Sequence, residues 1–454
     1  MIGYFRQALA MMREERLFSG IYIAGTALAI LFTMVMAVVY YIKLAPVYPE
    51  RNRARTVYFE GIRIETENAL GQTGFSAKAF EEWFQHSPNI EYCSPTLLAA
   101  GTGKTGGYCH TFVEHGKDDY IDVLCNETNA DYFRIYEYEF LSGRPFTQKE
   151  VEGKEAVCVI SDALAERLFG KGVDALGKTV PMESRPDVRV VGVIRSGSQL
   201  TPDSYADIIM PYTLMEVHFS NAYHGFYSIV ATVKDNAHLQ ALKQELDDLA
   251  ARTQQAHPEV IESSFNFGEG VKTKLVLTRN LATHPMHVLR SENRENTLST
   301  VTGWQLVRHY AGLLFVLLFV PALNLCGIVA GRMERRSAEM AVRKTFGARR
   351  TMLLNQVVME NLVLTTIGGI IGLVLSWLAI YGLRREILGM FFDNSTLDVR
   401  PDLQSGLVEG EMLFAPTLFI GAFAAILVLN LLAAVIPAWW SLRKPIVEAM
   451  MEKR

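Results

Sequence analysis

Arg332-Met-Glu-Arg-Arg-Ser-Ala-Glu-Met-Ala-Val-Arg-Lys-Thr-Phe-Gly-Ala-Arg-Arg350 carries seven Lys/Arg against two Glu, and hydrophobic runs press on it from both sides. Within it Ala338, Ala341, Val342 and Phe346 share one helical stripe, while Arg335, Arg336, Glu339 and Arg343 project elsewhere. Gly347 is a natural stop. The stretch reads as a short amphipathic helix held against a membrane face, where a soluble partner can push on it.

The 454 residues are half hydrophobic. A bilayer core takes about 20 apolar residues in a helix. Four runs meet that need, at 18–44, 310–331, 353–383 and 412–440. The first is too long for a signal peptide and lacks a small-residue cleavage site. Positive charge stays on the cytoplasmic side, which places the 332–352 hairpin there. The 441–454 tail, with Arg443, Lys444, Lys453 and Arg454, agrees. The short 384–411 loop holds Asp393, Asp398, Asp402, Glu409 and Glu411 and suits the outside. Parity then puts both termini in the cytoplasm and residues 45–309 outside. In residues 1–17, Phe5, Ala8, Leu9 and Met12 share a face, as in a helix lying in the interface.

The outer segment mixes strand and helix signals. Val57–Ile64 and Val188–Ile194 alternate as strands do, and Ala156–Ile160 is a short buried strand. Ser161-Asp162 caps a helix over Ala163–Phe169 that stops at Gly170. Phe226–Val233 is a strand leading through Asn236 into a helix with Leu239, Leu242, Leu246 and Leu249 on one face. The fold class is therefore an α-helical membrane protein with four transmembrane helices and a mixed α/β (α+β) extracytoplasmic domain in two lobes. The flanks at 45–55 and 286–309 are polar and read as helical stalks or as linkers. Cys93, Cys109, Cys125 and Cys158 fall outside, where either disulfides or buried thiols suit them; Cys326 lies in the second run.

Enzyme signals are absent. Gly101-Thr-Gly-Lys-Thr105 has Leu98 where a phosphate loop needs glycine, so it reads as a turn. His284-Pro-Met-His287 has ligand-like spacing, but the proline weakens a helical pair and surface histidines are the simpler reading. A net charge of −4 with no basic tail argues against nucleic acid. Inside the apolar runs, Asn324 and Asn430 should face helix partners. Gly327 and Gly331, and Gly368 and Gly372, have the spacing of close helix approach, though glycine is also common in membrane helices generally. Glu360, near the inner end of the third run, could anchor the interface, pair with Arg349 or Arg350, or simply snorkel as a carboxylate.

The hairpin from Arg336 to Arg350, followed by Glu360, resembles the cytoplasmic signature of FtsX-like ABC permeases. So does the ending Pro437-Ala-Trp-Trp-Ser-Leu-Arg-Lys-Pro-Ile-Val-Glu-Ala-Met450, although Met450 replaces a usual leucine and Trp439-Trp440 a basic or small pair. Outside, Val159–Gly170, Leu176–Val180, Val190–Val193, Asp131-Tyr-Phe and Leu141-Ser-Gly-Arg-Pro-Phe146 resemble the periplasmic core domain of MacB-like, macrolide-exporter permeases. The resemblance is weakest up to about residue 120. It implies a non-catalytic, mechanotransmission-type permease of the bacterial inner membrane, working as a dimer with a second copy or paralogue. A cytoplasmic ABC ATPase supplied in trans would hold ATP-Mg, and no cofactor or metal belongs to this chain. Glu339, Arg343, Lys344, Gly347 and Ala348 would dock on that ATPase. Asn324, Gly327, Gly331, Glu360, Gly368 and Gly372 would form helix interfaces in the bilayer. Export of a hydrophobic compound or peptide, with a periplasmic adaptor and an outer-membrane channel, is the expected task. Lipoprotein release and control of a cell-wall hydrolase or sensor are the alternatives.

Overall fold

A computed structural model describes residues 12, 14–67, 70–97, 110–114, 120–183, 185–198, 200–215, 223–256, 258, 272–278, 281–292, 303–383 and 416–443. They fall in two compact units, one within 42–306 and one within 12–41, 307–383 and 416–443. The 1–11 leader, the Gly101–Thr105 turn, the 384–411 loop and the 444–454 tail lie outside the described residues.

Long helices mark the second of these units: Arg16–Leu44, Gly303–Arg335, Arg350–Gly382 and Pro416–Arg443. Arg16–Leu44 and Arg350–Gly382 are long and apolar enough to cross a membrane, each with a mean hydropathy of 2.2. These two pack through glycine. A Cβ at Gly368 would lie 2.9 Å from Thr26 Cβ, and one at Gly372 would lie 2.7 Å from Ala27 O. Gly369 gives the same room to the Phe423 ring. Tyr22 Oη and Thr365 Oγ1, 3.0 Å apart, satisfy each other in the seam.

The sheet-bearing unit holds fifteen described strands, numbered along the chain. One antiparallel sheet runs β15 (Leu281–Thr283), β1 (Thr56–Phe59), β13 (Ser228–Thr232), β4 (Tyr92–Thr96). A second runs β12 (His224–Gly225), β3 (Leu70–Phe75), β2 (Ile62–Glu65), β14 (Lys274–Val276). The largest is mixed and runs β5 (His110–Glu114), β6 (Tyr120–Thr128), β11 (Ile208–Pro211), β8 (Val157–Ser161), β10 (Val188–Ile194), β7 (Phe140–Gly143). The short strand β9 (Thr179–Val180) pairs with β10. Strand β8, helix Asp162–Phe169 and the parallel strand β10 form a βαβ unit. Its helix starts where Ser161 Oγ accepts from Leu164 N–H at 3.2 Å and ends at Gly170 with φ +94°. Both features match the sequence expectation closely. One hydrophobic core collects Tyr58, Phe59, Phe75, Phe80 and Phe84, and a second collects Val123, Cys158, Ile160, Val190 and Ile208. The result is a mixed α/β domain.

Two expectations change. Val57–Ile64 is not one strand. Gly61, at φ +144°, turns the chain from β1 into β2, which belongs to a different sheet. A Cβ there would sit 2.1 Å from Thr73 O, so only glycine fits. Residues 45–55 form turns rather than a helical stalk. Pro46 and Pro49 supply the break, since proline lacks the donor a helix needs.

Candidate functional site

The basic hairpin is built from its stop signal outward. Helix Ser337–Thr345 ends in a left-handed turn at Gly347, φ +88°. Gly347 N–H donates to Lys344 O and Ala348 N–H to Arg343 O, each at 3.0 Å, which satisfies the last carbonyls. From this helix and the residue before it, two arginines reach helix Arg350–Gly382. Arg336 Nη1 donates to Glu360 Oε2 at 2.8 Å, and Arg343 Nη1 donates to Gln356 Oε1 at 2.9 Å. Gln356 Nε2 then donates to Glu360 Oε1 at 2.9 Å, closing the chain of contacts. Glu360 is only 1 % exposed, so these donors replace the water it has lost.

Glu360 pairs with Arg336, and not with Arg349 or Arg350 as the sequence also allowed. Arg336 lies at the break between helices Gly303–Arg335 and Ser337–Thr345, and from there its guanidinium reaches the carboxylate. The expected apolar stripe also divides. Ala341 is buried, whereas Val342 is exposed and Phe346 is 87 % exposed beside the glycine turn; the side chain of Ala338 lies outside the described residues. Among the described residues, a Cβ added at Gly327 or Gly331 would meet nothing within 4 Å, unlike one at Gly368 or Gly372. The side chains of Asn324, Asn430 and Glu339 lie outside the described residues.

A second polar constellation lies in the sheet-bearing unit and was missed by sequence reasoning. Helix Arg16–Leu44 ends with carbonyls that have no helical partner. Arg53 Nη1 donates to Ile42 O and Ala45 O, each at 2.6 Å, and His284 Nε2 meets Lys43 O at 2.8 Å. A carbonyl only accepts, so His284 carries its proton on Nε2, and Nδ1 accepts from Tyr58 Oη at 3.1 Å. Burial and then the nearby Arg53 charge push this imidazole down to about 3 and keep it neutral.

His287 is the opposite case. Its Nδ1 faces Glu60 Oε1 at 3.0 Å and its Nε2 faces Asp203 Oδ1 at 3.1 Å. Both nitrogens must donate, which only imidazolium can do. Burial opposes the charge, but Asp203 and then Glu60 outweigh it and raise the group to about 10. Burial likewise pushes the Asp203 carboxyl up, and His287 more than reverses this, holding it low. Burial raises Glu50, although Arg53 Nε at 2.8 Å and Ser204 Oγ at 2.7 Å both donate to it. Arg290 Nη1 donates to Glu60 Oε2 at 3.2 Å, and the His287 ring stacks on Tyr58 at 4.2 Å.

The two histidines are therefore buried, at 2 % and 4 % exposure, and not on the surface as expected. No local pattern signals this, because their partners come from distant parts of the chain. Glu50, Asp203 and His284 place their ligand atoms within 4.8 Å of one another, as a metal site would. The cation that such a trio would attract is already present in Arg53 and His287, and every one of these groups is hydrogen-bonded to protein. Cys93 and Cys158 are buried thiols outside any disulfide. Burial, with Asp131 adding to it, pushes Cys93 up to about 12, and burial raises Cys158 as well. Cys109 lies outside the described residues.

A family model described as the MacB-like periplasmic core domain matches residues 19–249, and one described as FtsX-like permease C-terminal matches 311–446. The pyoverdine export ATP-binding/permease protein PvdT of Pseudomonas fluorescens is 24% identical over 346 residues, covering 75% of this chain and 44% of that protein. The uncharacterized ABC transporter permease YknZ of Bacillus subtilis is 23% identical over 258 residues, 56% of this chain and 57% of its own length. The macrolide export ATP-binding/permease protein MacB of Neisseria meningitidis is 25% identical over 248 residues, 54% of this chain and 33% of its own. The chain thus spans from a third to somewhat over half of the length of these curated relatives. Matched along both its sheet-bearing unit and its later helices, it belongs to the FtsX-like ABC permeases that carry a MacB-like periplasmic core domain.

Proposed function

We propose that this chain is the non-catalytic permease of a mechanotransmission-type ABC exporter. It spans the inner membrane with the four long helices, both termini and the hairpin in the cytoplasm, and the sheet-bearing unit in the periplasm. An ABC ATPase acting in trans holds ATP-Mg and docks on Ser337–Thr345 and the Gly347 turn. A second permease copy completes a dimer. ATP-driven movement passes outward to the periplasmic domain, which drives export of a hydrophobic compound or peptide with an adaptor and an outer-membrane channel. Relatives named for pyoverdine and macrolide export favour the export reading over lipoprotein release or hydrolase control.

One observation carries this proposal. The hairpin helix is tied to helix Arg350–Gly382 by Arg336, Arg343, Gln356 and Glu360, while Phe346 is left bare at its end. An exposed aromatic in a basic, rigidly held turn is the kind of anchor that seats in a partner's pocket. The full chain in mild detergent is expected to retain an ABC ATPase. Phe346→Asp should weaken that binding by about tenfold or more, the scale of an interface anchor, with an unchanged melting temperature. Equal binding by wild type and variant, or no ATPase at all, would overturn the proposal.

A further inference from the structure

The chain enters the sheet-bearing unit at Ile42, and helix His284–Glu292 is the last described element lying wholly within it. These two segments meet on one buried charge cluster. The entering segment brings the carbonyls of Ile42, Lys43 and Ala45 together with Glu50 and Arg53; the leaving helix brings His284, His287 and Arg290. Glu60, Asp203 and Ser204, from the body of the domain, stand between them. Three cationic side chains thus face three carboxyl groups in a largely buried site.

Arg53 caps the Ile42 and Ala45 carbonyls at the end of helix Arg16–Leu44. The cluster does more, since the same helix end is held through His284, and the turn after it is held through Glu50, Ser204 and the neighbouring Asp203. Apolar packing is non-directional and lets segments slide. Buried, hydrogen-bonded charges do not, because a small shift leaves an ion without its partner.

We infer that this cluster is a joint fastening the entering and leaving segments to each other and to the domain, so that they shift as one body. Asp203, His284 and His287 are its positioning residues. The inference rests on the exporter reading for its purpose, because a domain moved from the membrane side needs its two connections to move together.

Hydrogen exchange on the full chain in nanodiscs, with its ATPase and with or without ATP, tests the joint. Asp203→Asn keeps shape and removes charge. It should speed exchange by about tenfold or more in both 42–50 and 284–292, and leave β8 unchanged, as expected of a local opening. ATP hydrolysis by the bound ATPase should persist, while the ATP-driven change in exchange at 284–292 disappears. Asp203→Glu should restore part of the protection. Opening of only one segment, loosening of β8 as well, or survival of the ATP-driven change would overturn the joint. Glu60→Gln removes the carboxylate on the other ring nitrogen of His287, should Asp203→Asn not fold. A wild type that binds no ATPase defeats the exporter reading instead, and the paired opening still decides the joint.

Discussion

A carboxylate inside a membrane-associated core is stable only while its donors stay in place, and Glu360 is such a group. Removing one partner of a buried ion pair costs about 3–5 kcal/mol, because the remaining charge is stranded. Arg336→Ala should therefore lower the melting temperature of the detergent-solubilised chain, and adding Glu360→Gln should recover much of the loss. A double variant as unstable as the single one would remove the ion pair from the account. His287 makes a pH prediction. Its folded-state value, about 10, lies above the ordinary 6.5, so its contribution is complete below about 6.5 and fades as pH rises towards about 10. His284 lies below its ordinary value, so its contribution fades in the other direction, as pH falls from about 6.5 towards about 3. Melting temperature should decline between pH 7 and pH 10 in the wild type and stay flatter in His287→Gln; parallel curves would contradict an imidazolium at this site.

At the scale of elements, identical spacing had different outcomes. Gly368 and Gly372 recur on helix Arg350–Gly382 as Gly327 and Gly331 do on helix Gly303–Arg335. Among the described residues, the first pair is pressed against a neighbouring helix, near the backbone of Ile23 and Ala27, and the second pair is not. Gly372→Val should cost about 1–3 kcal/mol through overpacking, read as a lower melting temperature. Gly331→Val should leave that temperature unchanged. If the second copy packs on this helix, Gly331→Val should instead shift the chain from dimer towards monomer in size-exclusion light scattering. Helix Ser337–Thr345 was legible because its stop at Gly347 is a local backbone demand. The split of Val57–Ile64 was not. Periodicity reports which faces are buried, and β1 is buried on every residue, so alternation could not mark the turn at Gly61.

For the whole molecule, the decisive expectation concerns sidedness. In a cysteine-free background, Phe346→Cys should react with a membrane-impermeant maleimide only after cytoplasmic access is opened, and Leu141→Cys should react in intact spheroplasts. Both side chains are exposed, so failure to react cannot be laid to burial. The reverse pattern would invert the topology and end the exporter reading. The sequence alone determined the apolar runs, the basic hairpin and its glycine stop, the strand and capped helix around Ser161, and the family these motifs belong to. All are written in spacing along a few turns of chain, where each residue's neighbours are fixed by the helix or strand period. Tertiary structure decided the partner of Glu360, the glycine pair that packs, and the burial of His284 and His287. His284 and Lys43 are 241 residues apart, and His287 and Asp203 are 84 apart. Strands β1 to β15 must close their sheets before such groups can meet, and no local period encodes which distant charge will be waiting.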